Sequence, residues 1–161
     1  MSILSLEQLL QLHALAIEAT GGSSGLRDLG RLEAAIAVQT QSVFGGELYP
    51  TVIEKAAAVI RGIIADHPFV DGNKRTAMLA GLTLLRINSL DFTASPGEIE
   101  DFAVNIAVAR LDVPAVASWL TFAETFRTIY MDISPLRFKE IRELVDDYEA
   151  GRLDLTEVKE Q

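Results

Sequence analysis

Apolar positions recur along this chain at intervals of three and four residues, in blocks separated by glycines, prolines and capping residues. That is the periodicity of amphipathic helices. Leu6, Leu9, Leu10, His13 and Ile17 form the first block, opened by Ser5 with Gln8 three residues on and stopped by Gly21-Gly22. A Ser or Thr followed at the third position by Gln or Glu is a capping box. A short helix is expected from about Leu32 to Val38. Thr51 and Glu54 form a second capping box, and Ile53, Ala57, Val59, Ile60, Ile63 and Ile64 give the helix behind them a wide apolar face up to Asp66, with Pro68 closing it. From Thr76 to Ile87 the chain is apolar nearly all round, the pattern of a central helix buried on most sides, and Asn88 is placed as its C-terminal cap. Ser95-Pro96-Gly97-Glu98 is a third capping box, leading into Ile99, Phe102, Ala103 and Ile106. Val113-Pro114 starts a further helix packed through Val116, Trp119, Leu120, Ala123 and Phe126, with Trp119 read as a core residue. No run alternates like a sheet strand, so the expected fold class is all-α.

Three stretches interrupt this pattern. Gly21 to Gly30 is a glycine- and serine-rich loop that lacks the lysine and hydroxyl of a P-loop. Its Arg27-Asp28 pair is read as anchoring the loop to the fold. Gln41 to Pro50 holds Gly45-Gly46 between two apolar-aromatic triplets, a hairpin signal. It serves equally well as a plain connector or as a flap, Phe44-Gly45-Gly46-Glu47-Leu48, able to hold an extended peptide along its edge. From Met131 the chain carries nine of its 23 acids in 31 residues, with Ile141, Leu144, Val145 and Tyr148 as one helical stripe between Ser134-Pro135 and Gly151. The expected organisation is one domain over residues 1–130 and an amphipathic helical extension over 131–161. That extension is expected to seek a surface: its own core, a second copy of the chain in a homo-oligomer, or another protein.

Composition narrows the function classes. The chain of 161 residues is 49% hydrophobic and 23% charged, the balance of a globular domain with a real core. No apolar run is long and uncharged enough to span a bilayer, and no signal-peptide layout opens the chain. With no cysteine there is neither disulfide nor thiolate metal site, which suits a cytoplasmic location. A net charge of −9 sets aside general binding to nucleic acid or anionic membranes. Any phosphate site is therefore local.

The chemistry concentrates between His67 and Ala77. If a helix begins near Asn73, its first N–H groups are unpaired and its dipole is positive there, which makes an anion site without a basic patch. Gly72 lets the backbone approach a phosphate closely. Asp71 is placed to hold Mg²⁺ against phosphate oxygens. Lys74 and Arg75 add a point charge and a planar fork. His67, across the turn, is the candidate base for a substrate hydroxyl, and Phe69 is the apolar peg that fixes the loop. His13, on the apolar stripe of the first helix, is read as a packed or capping residue rather than a catalytic one.

His67-Pro68-Phe69-Val70-Asp71-Gly72-Asn73-Lys74-Arg75 resembles the signature loop of the Fic/Doc superfamily, H-x-F-x-[DE]-G-N-G-R-x-x-R. It looks most like the Doc (death-on-curing) branch, in which lysine replaces the second glycine and Thr-Ala follows. The early Leu-His segment, Gly21-Gly22, Arg27-Asp28, Leu32-Glu33 and Tyr49-Pro50 also look Doc-like, so the likeness spans about residues 3–126. The resemblance implies the Fic fold, with His67 as base, Asp71 as Mg²⁺ ligand, Gly72 and Asn73 in an anion hole, Arg75 on phosphate, and residues 41–50 as a target-peptide flap. It also implies ATP as substrate and a toxin paired with an antitoxin protein. In that branch the γ-phosphate passes to a threonine of the elongation factor that carries aminoacyl-tRNA, whereas typical Fic enzymes transfer the nucleotidyl group. Two departures weaken the usual nucleotidyl pose: Lys74 stands where a glycine would allow close approach, and Met78 replaces the second motif arginine. The alternatives are a Fic-type nucleotidylyltransferase and a non-catalytic toxin-antitoxin binding or repression module. Some Fic proteins carry an inhibitory helix, [ST]-x-x-x-E-[GN]; the nearest stretch, Thr156 to Glu160, would need the arginine that Met78 replaces.

Overall fold

The computed structural model describes residues 1–130, and side chains through Thr121; the amphipathic stripe expected after Ser134 lies outside the described residues. Met1–Thr125 forms one compact unit. The described helices are α1 (Leu6–Thr20), α2 (Leu29–Ala37), α3 (Val52–Asp66), α4 (Asn73–Ile87), α5 (Pro96–Ala109) and α6 (Val113–Tyr130). One 3₁₀ turn, Val38–Thr40, follows α2, and a two-residue hairpin, β1 (Ser42–Val43) with β2 (Gly46–Glu47), precedes α3. Among the described residues the fold is all-α apart from this hairpin.

The capping boxes are formed as the spacing requires. Ser5, Thr51 and Ser95 each accept the N–H of the residue three positions on, and Gln8, Glu54 and Glu98 each return to the cap's own N–H. The second helix corrects the sequence reading. It begins at Leu29, not near Leu32, because Asp28 accepts the Arg31 N–H at 3.0 Å and so caps it. The Asp28 carboxylate pairs with the Arg31 side chain at 3.4 Å, not with the adjacent Arg27.

The apolar faces of α3 and α4 make the centre. Ala56, Ala57, Val59, Ile60, Ile63 and Ile64 of α3 are buried, as are Ala77, Met78, Ala80, Leu84 and Leu85 of α4. At Gly81 the two helices approach so closely that a Cβ would run into the Ile60 side chain. Leu9 and Leu32 close the core from α1 and α2, and Phe102, Ala103 and Ile106 from α5. Trp119 is half-buried, stacked on Phe102 at 3.9 Å, as a packing residue would be. The α3–α4 pair matters for function because the turn between these helices is the chemically dense stretch, residues 67–72.

Candidate active site

The turn is shaped by two left-handed residues. His67 caps α3 with φ 48°, and Gly72 caps α4 with φ 74°. At Gly72 a Cβ would lie 3.0 Å from Ile17 Cδ1 and 3.7 Å from His13 Cε1. Glycine is therefore suited to the position by both backbone and space. Unlike α1, α2, α3 and α5, helix α4 has no side-chain cap, so its first backbone N–H groups face the site without a protein acceptor from the cap.

Between those ends the loop is pinned from three sides. Asn73 does not cap α4. Its side chain turns back, accepting the Phe69 N–H at 2.9 Å and donating to the Phe69 carbonyl at 3.0 Å. Phe69 is fully buried and stacks on the His13 ring, centroids 3.8 Å apart and planes 9° from parallel. The 21–28 loop pairs along the other edge: Arg27 and Asp28 both donate to the Pro68 carbonyl, at 2.7 and 3.0 Å, and Val70 donates to the Gly25 carbonyl at 3.0 Å. The expected peg and the expected anchoring loop are both present, the latter through its backbone rather than through an Arg-Asp pair.

His13 is packed, as expected, at 5% exposure, with Nδ1 3.0 Å from Thr76 Oγ1 and a buried, unpartnered Nε2. Burial, and then the nearby Arg75 charge, hold its pKa below the ordinary 6.5, with Asp71 opposing. The folded chain thus keeps the ring neutral where the unfolded chain takes a proton. Stability is then fully present above pH 6.5 and declines as pH falls through that value. Thermal melts from about pH 7.5 to about pH 5 should show a falling midpoint, and a shallower fall in His13→Gln. Equal slopes in the two proteins would overturn this.

Asp71 sits immediately before the α4 terminus. Its Oδ1 accepts the Gly72 N–H at 2.6 Å and its Oδ2 the Ser23 N–H at 3.1 Å. These backbone donors, and secondarily the Arg75 charge, hold the carboxyl below its usual range, so it is ionised near neutral pH. Arg75 turns toward the end of α1: it donates to the Thr20 hydroxyl and to the Gly21 carbonyl (2.7 Å), and its Nη2 lies 3.5 Å from Asp71. Gly22 leaves the room for this group, since a Cβ there would collide with the Asp71 carboxylate.

His67, Asp71, Gly72, Asn73, Lys74 and Arg75 all line one open cleft of about 970 Å³, together with Thr20, Arg27, Val70 and Met78. Leu79, Leu82, Pro96, Ile99, Ala103 and Val104 make an apolar wall from α4 and α5. The sequence-predicted residues are thus brought together, with Phe69 beneath them as support. The flap residues Phe44, Gly45, Gly46, Glu47 and Leu48 do not line this cleft. They form the hairpin, with Phe44 (φ 51°) and Gly45 (φ 83°) as a two-residue turn of the primed type and Phe44 fully exposed at its tip.

Three contributors escaped the sequence reading. The sequence reads Arg27 as an anchor, yet Arg27 also lines the cleft. Ser23 holds Asp71 through a backbone N–H, which no side-chain pattern reveals. Lys55 is buried to 3% exposure in α3, donating to the Gln39 carbonyl at 2.6 Å and to Glu47 at 3.1 Å, and so ties the base of the hairpin to the core. A lysine on the apolar face of α3 was the available signal.

An all-helical domain whose central helix starts beneath a His-x-Phe-x-Asp-Gly-Asn-Lys-Arg loop has the form of a Fic domain. The chain belongs to the Fic/DOC family, whose model matches residues 3–85. It is 37% identical over 113 residues to "Toxin Doc" of Mycolicibacterium smegmatis, covering 68% of this chain and 87% of that protein. It is 34% identical over 127 residues to "Protein kinase doc" of Escherichia phage P1, covering 79% of this chain and 94% of the relative. Both relatives place it on the Doc branch.

Proposed function

We propose that this protein is a Doc-type toxin, held in check by an antitoxin protein, that transfers the γ-phosphate of ATP to a threonine or serine hydroxyl of a protein target, a translation elongation factor. The observation that carries the reading is the shared cleft: His67, ionised Asp71 and the uncapped start of α4 all line it. The names of the two relatives, one a toxin and one a protein kinase, point the same way.

His67 accepts the proton of the target hydroxyl as its oxygen attacks the γ-phosphorus, and the bond to the bridging oxygen breaks to release ADP. The N–H groups at the start of α4, Gly72 and Asn73 included, hold phosphate oxygens as charge shifts onto the leaving group. Lys74 adds a cation at the mouth of the cleft, and the apolar wall of α4 and α5 excludes water from one side. A magnesium ion fits an ionised carboxylate beside a phosphate site, and Asp71 would be the residue that holds it. It would neutralise phosphate charge. The exposed hairpin edge at 42–48 offers main-chain groups to an extended target peptide.

The test uses ATP labelled separately at the α and γ positions, with the elongation factor as acceptor. Label arriving from the γ position alone is the expected result. Label from the α position would replace the reading with nucleotidylyl transfer, and no transfer with undiminished growth arrest would leave a binding or repression module.

A further inference from the structure

Arg27 has a main chain fixed beside the signature loop. The 2.7 Å bond from its N–H to the Pro68 carbonyl and the pairing of its neighbour Leu26 with Phe69 hold its backbone beside the signature loop. Arg27 lines the cleft with His67, Lys74 and Val70, and among the described residues its guanidinium has no hydrogen-bond or ion-pair partner. The neighbouring carboxylate does not claim it, because Asp28 is taken by the Arg31 N–H at 3.0 Å and the Arg31 side chain at 3.4 Å.

The other guanidinium at the cleft is already engaged. Arg75 donates to Thr20 and to the Gly21 carbonyl and faces Asp71, which ties the end of α1 to the loop. To grip a phosphate in full, Arg75 would have to give up those bonds. Met78, one turn further along the same wall, has no donor. A polyphosphate entering this acidic protein, of net charge −9, meets Asp71 and Glu100 in the same cleft, so it needs cations that are not already spent. We infer that Arg27 is a phosphate-binding residue of this site, supplying the planar bidentate fork that neither Arg75 nor position 78 offers.

The inference deepens the nucleotide reading above and rests on it. The test compares MgATP and adenosine binding by calorimetry for the wild type, Arg27→Gln and Arg27→Lys. Because the backbone, not the side chain, makes the loop pairing, both variants should melt within a few degrees of wild type. MgATP affinity should fall by about tenfold to a hundredfold in Arg27→Gln and by less in Arg27→Lys, which keeps charge but loses the fork. Adenosine, which has no phosphate, should bind all three alike. MgATP affinity within about twofold of wild type in both variants would overturn the role of Arg27 and leave the nucleotide reading intact. If wild type binds MgATP but passes no γ-label, the proposed reaction falls while the binding comparison still decides Arg27. A wild type that binds no MgATP overturns both.

Discussion

His67→Asn is expected to abolish group transfer while leaving the fold standing. His67 is exposed, and its ring has no hydrogen-bond partner among the described residues, so little packing is lost with it. Its backbone is left-handed at φ 48°, a region that asparagine tolerates better than alanine does. The thermal midpoint should therefore stay within a few degrees of wild type. Removal of a positioned general base typically costs about 10²- to 10⁴-fold, and γ-label incorporation into the target should fall by that much. Growth arrest on expression should be lost in parallel. Undiminished transfer would assign the base to another group, and undiminished arrest with no transfer would favour a binding role.

The second large effect is on stability. Phe69→Ala removes a fully buried ring from beneath the loop, where it stacks on His13. Truncation of a buried phenylalanine costs about 3–5 kcal/mol, a large share of the roughly 5–15 kcal/mol that holds a domain of this size. The cavity would open directly under the bonds that Asn73 makes to the Phe69 backbone, so loop geometry and transfer activity should both suffer. Urea titration should show the midpoint falling sharply in Phe69→Ala and much less in Phe69→Leu, which retains most of the volume. A loss below about 1 kcal/mol in Phe69→Ala would mean that the site collapses around the deletion.

Much of this architecture was legible from local pattern. Capping boxes at Ser5, Thr51 and Ser95 are contained within four residues each, so their spacing alone determines them. The nearly uniform apolarity of Thr76–Ile87 marked the central helix for the same reason, since burial on most sides leaves no polar face. The signature loop carried its chemistry in consecutive residues, and a helix starting at Asn73 necessarily brings its backbone donors to one point.

What the sequence by itself determined, then, is the set of helices, the capping boxes and the turn between α3 and α4, because each depends on neighbours a few positions away. Tertiary structure alone decided which charges are paired among the described residues and which line the cleft. Arg75 is held by Thr20 and Gly21, some 55 positions back, while Arg27 reaches the cleft because its loop pairs with Pro68 and Phe69. Asp71 is held ionised by the Ser23 N–H, 48 positions away, and Lys55 is buried against Gln39. Such bonds join backbone groups that every residue carries, or side chains far apart in the chain. No spacing rule encodes them, and only the closed fold brings the partners within reach.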